Sequence, residues 1–369
     1  MKKLLSSEHS RWISIEERIH FAKMSRDEAC HLPDDQKLRY FFSLQVSHIK
    51  LDSVEADIAR HLGPYSDARI LTLIGPPGAG KTSFAQNAMA NRMKPSEPGL
   101  QPFLLVAAPA HGSVKVPWSG VYRKILEAGQ EPLIDFKRGT FIEGDKVRTY
   151  GTAHKSLDTL RSAVESMLRH RGTRLLALDE VLHLLRFGNY EALMDTLKSL
   201  VDATDSQLLL IGSYDLFGLV TSYAQVGRRS EIFYLDRYRR FMQNSKGVRV
   251  QNDVDIKEFT RVIKRLQERW PLEWVPDFVQ VSSDLLDVTL GIVGLLKDFL
   301  MQCLVLQIEN DGKWKSTFVK KSLKPASVLK GIRSEFDKGE EKMSKAGYAQ
   351  FSFDNEVLGR IEEAATHPA

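Results

Sequence analysis

Five short, almost purely apolar runs lie in the middle of the chain, and segments with helical spacing of apolar residues separate them. The runs are RILTLIG (69–75), PFLLVAAP (102–109), RLLALDE (174–180), QLLLIGS (207–213) and EIFYLD (231–236). The helical segments are 80–92, 117–129, 153–171, 190–203 and 215–225. A continuous apolar run is typical of a strand that is covered on both faces, as in a parallel sheet. The alternation therefore predicts a doubly wound α/β layer.

Helical patterning without strands flanks this layer on both sides. Before it, LRYFFSLQVSHI and LDSVEADIARHL place apolar residues at three- and four-residue spacing. After about residue 245 the strand pattern stops, and the apolar positions of DIKEFTRVIKRLQERW form one helical stripe. We therefore predict four parts, which are a helical N-terminal region (1–66), an α/β domain (67–245), a small helical domain (246–310) and a basic C-terminal segment with a tail (311–369).

Composition and charge add little to this picture. The 369 residues carry a net charge of +5, a small basic excess that leans toward nucleic acid. Cys30 and Cys303 show no metal-ligand spacing, which favours a reduced intracellular protein. The most apolar stretch, LLDVTLGIVGLLKDFLMQCLVLQI, contains three charged residues and is too polar to span a bilayer. The start of the chain has no signal-peptide core, so we expect a cytoplasmic protein without a membrane partner.

The segment GPPGAGKT, directly after the first predicted strand, matches the phosphate-binding pattern G-x-x-x-x-G-K-[ST]. Its glycines allow the backbone to curl so that amide N–H groups face an anion, and the following helix adds its positive dipole end. Lys81 is predicted to reach the β- and γ-phosphates, and Thr82 to bind Mg²⁺. The predicted cofactors are ATP and Mg²⁺. The predicted nucleotide-binding residues here are Gly75, Pro76, Pro77, Gly78, Ala79, Gly80, Lys81, Thr82 and Ser83.

Two further predicted strands end in polar residues that suit ATP hydrolysis. The third run ends in Asp179 and Glu180. Asp179 is predicted to help hold Mg²⁺, and Glu180 to orient or deprotonate the attacking water as a general base. Ser213 ends the fourth run, where its hydroxyl could contact the γ-phosphate or the water. An ordinary serine at a strand end is the equally open alternative.

Two adjacent arginines, Arg228 and Arg229, precede the last apolar run. In a doubly wound sheet this point faces away from the nucleotide of its own subunit. A planar guanidinium is the preferred donor to a γ-phosphate in the transition state. We therefore predict a homo-oligomer in which one of these arginines completes the catalytic site of a neighbouring subunit. Arg229 is the favoured one, because it is nearer the strand.

Taken together, these segments resemble an AAA+ ATPase, and GIVGLLKDFL (291–300) is similar to the start of a helix in the AAA+ lid domain. The resemblance implies a P-loop α/β fold with a small helical lid, in which Lys297 replaces the usual sensor arginine. More narrowly, LTLIGPPGAGKTSF, LALDEVLHLL and SYAQVGRRSEIFYL resemble TnsC/TniB-type ATPase regulators of DNA transposition. Ser213 and Lys297 depart from the commoner AAA+ pattern, which implies a slow, switch-like ATPase.

That family resemblance implies ATP-dependent rings or helical filaments on duplex DNA, largely independent of sequence, that link a target-selection protein to a transposase. The candidate DNA-binding residues lie in HGSVKVPWSGVYRKIL and are Lys115, Trp118, Tyr122, Arg123 and Lys124. In the alternative interpretation, this segment is a solvated loop and helix whose two aromatic residues belong to the core. Two alternative functions also remain open, namely a replication initiator or helicase loader and a signalling NTPase that does not act on DNA.

Overall fold

A computed structural model describes residues 13–62, 66–109, 116–136, 139–143, 146–150, 157–185, 190–221, 230–243 and 248–348. The chain divides into two compact units. Leu51–Leu235 form the first, and Met1–Lys50 together with Asp236–Ala369 form the second.

A five-stranded sheet forms the centre of the first unit. Its strands are β1 (Ile70–Ile74), β2 (Phe103–Ala107), β5 (Leu175–Asp179), β6 (Gln207–Gly212) and β7 (Ser230–Tyr234). Every neighbouring pair is parallel, in the order β2-β5-β6-β1-β7. All residues of β1 and β5 are buried, as expected for strands that are covered on both faces. The predicted α/β layer and its five strands are confirmed.

One helix precedes β1 and the others lie between the strands, and of the described helices all but the short Leu182–Leu185 helix fall in segments that the sequence predicts to be helical. They are α4 (Ile49–His61), α5 (Lys81–Phe84), α6 (Ala90–Arg92), α7 (Trp118–Ala128), α8 (Leu157–His170), α9 (Leu182–Leu185), α10 (Tyr190–Thr204) and α11 (Asp215–Thr221). A π-helical turn, Ala85–Met89, joins α5 to α6, and a 3₁₀ turn, Ile134–Phe136, follows α7. The π-helical turn was not predicted, because the apolar spacing of this segment is that of an ordinary helix.

An antiparallel hairpin of β3 (Gly139–Glu143) and β4 (Lys146–Tyr150) is a further element of the first unit. No pattern in the sequence predicted this hairpin. Its two strands are short and mix polar with apolar residues, so they lack the continuous apolar run by which the five sheet strands were recognised.

The second unit is helical apart from one small hairpin. Its helices are α1 (Ile15–Lys23), α2 (Arg26–Cys30), α3 (Asp34–Ser43), α12 (Asp253–Gln267), α13 (Ser282–Val288), α14 (Val293–Glu309), α15 (Thr317–Ser322) and α16 (Ala326–Lys345). The hairpin pairs β8 (Phe241–Gln243) with β9 (Arg249–Gln251). The prediction that strands stop after about residue 245 is therefore wrong for β9, which is too short for an apolar run to mark it.

The N-terminal helices pack against the helices that follow residue 253. Phe41 of α3 meets Trp270 with their ring centroids 5.1 Å apart, and both side chains are buried in the same apolar cluster. Arg26 donates hydrogen bonds to the carbonyl oxygens of Trp270 and Leu272. Apolar residues of α1 and α3, such as Phe21 and Phe41, are thus covered by segments more than 200 positions away.

Glycine is required at position 291, directly before α14. Gly291 has φ of +67°, and a Cβ atom there would lie 1.8 Å from the carbonyl oxygen of Tyr238. The Gly291 carbonyl oxygen in turn accepts a hydrogen bond from the Tyr238 backbone N–H. This close approach of two backbones explains the first glycine of GIVGLLKDFL.

No single helix in the described part of the chain is both long enough and apolar enough to cross a membrane. The pair α13 and α14 passes that test only when its two helices are taken together, and they are bent by 111°.

A buried ionic cluster ties the segment after β7 to α16. Arg237 donates to both carboxylate oxygens of Glu340 at 2.7 and 3.1 Å, and Arg239 donates to Glu340 Oε2 at 2.9 Å. Arg239 also donates to Asp236 at 2.7 Å. Glu340 is only 1% exposed. Burial by itself raises the pKa of Glu340, but Arg237 and Arg239 outweigh it and leave the pKa below its usual value.

Loss of the Glu340 charge should destabilise the second unit strongly. Glu340→Gln would remove the buried carboxylate that Arg237 and Arg239 share, and removing one partner of a buried ion pair costs about 3–5 kcal/mol. Urea unfolding followed by tryptophan fluorescence measures the effect. The control is Glu341→Gln, because the neighbouring Glu341 is exposed and pairs with Lys345 at the surface. The control variant should leave the urea concentration at the unfolding midpoint almost unchanged. If both variants lowered this midpoint equally, the stabilising role of the Glu340 charge would be contradicted.

Candidate nucleotide-binding site

The carboxyl ends of three parallel strands meet at one edge of the sheet in the first unit. β6 lies between β1 and β5, with Ile74 level with Gly212 and Leu178 level with Leu210. The loop after β1, the residue Asp179 and the end of β6 are therefore neighbours. Ligands of open α/β sheets bind outside the carboxyl ends of the strands, so this edge is the candidate site.

The loop after β1 has the backbone of a phosphate-binding loop. Gly78 and Gly80 have φ of +78° and +94°, a region in which only glycine is unstrained. A Cβ atom at Gly75 would lie 2.5 Å from the carbonyl oxygen of Leu235, so a side chain does not fit there either. The helix α5 begins at Lys81, directly after this turn. Its first N–H groups have no helical acceptor and are free to bind an anion.

Lys81 is held by the loop itself. Its Nζ donates hydrogen bonds to the carbonyl oxygens of Gly75 at 2.7 Å and of Pro76 at 2.8 Å. Burial lowers the pKa of Lys81 to about 8, against the opposing effect of the Asp179 carboxylate. The ammonium group is thus poorly solvated, and it forms no salt bridge with the described residues, so phosphate oxygens would supply a close counter-charge.

Thr82 and Asp179 contact each other directly. Thr82 Oγ1 donates to Asp179 Oδ2 at 2.5 Å, and Asp179 Oδ1 accepts a hydrogen bond from the Glu180 backbone N–H at 2.8 Å. A hydroxyl and a carboxylate are oxygen ligands of the kind that Mg²⁺ takes. Among the described residues, no group of three or more His, Cys, Asp or Glu side chains could hold a metal ion. The donor set therefore fits a Mg²⁺ ion that takes its other ligands from phosphates and water.

A family model described as an AAA domain matches residues 63–220. The chain contains an AAA-type P-loop ATPase domain. The match covers the loop, Lys81, Thr82, Asp179, Glu180 and Ser213.

Several solved structures are similar to the chain at low sequence identity. The Aeropyrum pernix ORC1 protein in complex with DNA is 16% identical to this chain. The aligned region covers 93% of this chain and 87% of the ORC1 chain, and the TM-score is 0.49. The Aeropyrum pernix ORC2 protein in its ADPNP–ADP complexes has 12% identity, 88% and 86% coverage, and a TM-score of 0.48. The Walker-type ATPase PABY2304 of Pyrococcus abyssi has 15% identity, 80% and 76% coverage, and a TM-score of 0.47. The search of curated proteins found no match.

Glu180 follows β5 of the AAA domain in an unusual backbone conformation. Its φ is +54°, and its side chain is 63% exposed. The Oε2 atom lies 3.3 Å from Nε2 of His183, three positions later. His183 is not among the site residues predicted from the sequence. The spacing E-x-x-H was the available signal, because residues three apart lie on the same side of a helical turn.

Ser213 belongs to the first unit and Lys297 to the second, and the roles predicted for them stay predictions. Ser213 follows β6 at the candidate edge, and its carbonyl oxygen accepts from the Leu216 N–H at 3.1 Å. Lys297 belongs to the second unit, where its Nζ donates to the carbonyl oxygens of Phe42 and Leu44 at 2.6 and 2.5 Å. Burial lowers the pKa of Lys297 to about 8. A nucleotide contact by Lys297 stays a prediction, and it would require these two hydrogen bonds to break.

The predicted DNA-binding residues are only partly described. Tyr122 is 1% exposed, and Trp118 stacks on it with the ring centroids 5.8 Å apart. Tyr122 is therefore a core residue of α7 and leaves the candidate set, because a buried ring cannot reach DNA. Arg123 pairs with Asp135 at 2.8 Å, and Lys124 pairs with Glu127 at 3.1 Å. Lys115, like Arg228 and Arg229, lies outside the described residues.

Binding of ATP to the AAA domain should weaken as the pH rises above about 8, the pKa of Lys81. Phosphate oxygens favour the charged ammonium form, so binding must take up a proton once Lys81 is neutral. The affinity for an ATP analogue can be measured by calorimetry in EDTA, which removes Mg²⁺. It should not depend on pH near pH ~7, and it should fall by up to ~10-fold per pH unit above pH ~8.5. Lys81→Arg cannot lose its charge in this range and should give a level profile. A level wild-type profile would contradict the prediction.

Proposed function

We propose that the protein is an AAA+ ATPase that assembles on duplex DNA in its ATP-bound form and regulates transposition. The observation that supports the ATPase part is the contact of Thr82 with Asp179 at 2.5 Å, with Lys81 and Glu180 next to these two residues. The transposition part rests on the sequence segments that resemble TnsC/TniB-type regulators.

The chain's own residues would divide the reaction among them. The loop N–H groups and the Lys81 ammonium would bind the β- and γ-phosphates, after Lys81 releases the carbonyl oxygens of Gly75 and Pro76. Thr82 and Asp179 would hold Mg²⁺, which neutralises charge on the phosphate oxygens when bound. Glu180 would accept the proton of the attacking water.

Assembly would couple the nucleotide to the contact between subunits. An arginine of one subunit, Arg228 or Arg229, would reach the γ-phosphate of its neighbour, so ATP would strengthen the oligomer and hydrolysis would loosen it. Complementation between two inactive variants, one without Lys81 and one without the arginine, tests this role. No recovered activity in any mixture of the two would count against it.

The DNA contact would be electrostatic and shared among subunits. Arg123 and Lys124 lie on α7 of the AAA domain, and both are at least partly exposed. Their present partners, Asp135 and Glu127, are also exposed, and surface ion pairs of this kind contribute at most about 1 kcal/mol. DNA phosphates could therefore replace these carboxylates at little cost. Such contacts carry no sequence information, which agrees with a regulator that binds many sites.

The transposition role has its own test. The protein would be added to a strand-transfer reaction with a transposase that it binds, with ATP, with ADP and without nucleotide. We expect transfer to depend on the protein and on ATP. Electron microscopy with duplex DNA and a non-hydrolysable analogue would show whether a ring or filament forms. A DNA-bound oligomer that leaves strand transfer unchanged would favour the initiator or loader alternative.

Glu180→Gln should bind ATP normally and stop its turnover. The amide keeps the shape of the side chain but lacks the basicity that a general base needs, an effect worth about 10²- to 10⁴-fold. Lys81→Ala should instead lose nucleotide binding. Turnover is measured as phosphate release, and binding with a fluorescent ATP analogue. Glu191→Gln, on the exposed first turn of α10, is the control and should match wild type. Turnover by Glu180→Gln at the wild-type rate would refute the assigned base.

Lys115→Ala combined with Lys124→Ala should reduce ATP-dependent binding to duplex DNA. Each neutralised phosphate adds about 0.9 to the slope of log affinity against log salt, so the double variant should also have a shallower slope. Fluorescence anisotropy across a salt series, with ATP analogue and with ADP, measures both. Lys320→Ala with Lys321→Ala on α15 is the comparison. If only this second pair weakens binding, the DNA-binding face lies on the basic segment 313–333.

A further inference from the structure

The turn after β5 carries two locally unfavourable features within four residues. Glu180 has φ of +54°, a conformation that costs free energy for any residue with a side chain. His183 Nδ1 is buried and has no hydrogen-bond partner in the described part of the chain. Strain and unsatisfied polar atoms persist where the surrounding structure holds them, and they concentrate at functional sites. The two features therefore call for a functional explanation.

Two backbone hydrogen bonds and two buried side chains hold the backbone of this turn in place. The His183 N–H donates to the Glu180 carbonyl oxygen at 3.0 Å, and the Leu184 N–H donates to the Val181 carbonyl oxygen at 2.8 Å. Val181 and Leu184 are both almost completely buried. The position from which the His183 ring projects is therefore fixed relative to β5, whereas the Glu180 carboxylate is largely exposed to solvent.

The His183 ring contacts this carboxylate. His183 Nε2 lies 3.3 Å from Glu180 Oε2, and the His183 side chain is 27% exposed. A proton on Nε2 would face the carboxylate, whereas a proton on the buried Nδ1 would have no acceptor. A buried N–H without an acceptor is costly, so of the two ring nitrogens Nε2 is the better placed to carry a donor proton toward Glu180.

Stability does not account for the contact. A pair in which one partner is so exposed contributes little to the free energy of folding, because water and salt screen it. Its effect is instead on the orientation of the carboxylate. A general base must lie within hydrogen-bond reach of the proton that it accepts, and a long side chain in solvent samples many other rotamers. A donor that holds one oxygen reduces this freedom.

We propose that His183 is a positioning residue for ATP hydrolysis, which holds the Glu180 carboxylate through Nε2–H in the orientation that receives the proton of the attacking water. This inference rests on the proposed function of Glu180 as the general base. His183 itself exchanges no proton with substrate.

Replacement of His183 should lower kcat without affecting nucleotide binding. In His183→Leu, a side chain of similar bulk lacks the donor, and kcat should fall about 10-fold while the KM for ATP stays unchanged. His183→Gln places an amide N–H near the position of Nε2 and should recover most of the rate. His170→Leu is the matched control, because His170 is exposed at the end of α8 and its ring contacts Ser166, four positions earlier. This control should match wild type in kcat, and thermal unfolding verifies that all variants are folded.

A double variant separates this inference from the function on which it rests. His183→Leu should cause no further loss of turnover in Glu180→Gln, since an absent base cannot be misplaced. If Glu180→Gln is inactive but His183→Leu has the wild-type kcat, the positioning role is overturned and the ATPase assignment stands. An equal loss of kcat in His183→Leu and His183→Gln would also overturn it. If wild type and Glu180→Gln release phosphate equally, the assigned base and the positioning role fail together.

Discussion

The hydrogen bond from Thr82 to Asp179 joins two parts of the chain that are 97 positions apart, and the nucleotide site depends on it. Thr82 is the second residue of the helix after β1, while Asp179 ends β5, and β6 lies between these two strands. The pair can therefore meet only when the strand order is correct. The buried apolar side chains of β1, β5 and β6 enforce that order, because all of them face packed layers. The packing of the sheet thus brings the Thr82 and Asp179 side chains together at its edge.

The sequence predicted the sheet and the nucleotide-binding loop because both are encoded locally. A buried parallel strand needs a continuous apolar run, and the loop needs glycine where φ is positive, as at Gly78 and Gly80. Both requirements can be read directly from the residue types at these positions. For the same reason Asp179 and Glu180 could be selected from the end of one run.

Other features could not be predicted because they depend on distant neighbours. The partners of Lys297 are carbonyl oxygens more than 250 positions earlier in the chain, and no local pattern points to them. Tyr122 lies in a segment with several basic residues, and only its packing in α7 shows that its ring belongs to the core. The contact of His183 with Glu180 had a local signal in its spacing. That signal did not show that one ring nitrogen is buried without a partner.

The Lys81 and Thr82 side chains already form hydrogen bonds within the protein, and this limits how tightly the site can bind ATP. Lys81 donates to two loop carbonyl oxygens, and Thr82 donates to Asp179. Nucleotide binding must exchange these hydrogen bonds for new ones, so each exchange contributes only the difference between two similar interactions, commonly about 1 kcal/mol. The charge of Lys81 is the exception, because burial has lowered its pKa and phosphate oxygens would supply the missing counter-charge. We therefore expect the charge of Lys81 to contribute more to the affinity for ATP than these exchanged hydrogen bonds.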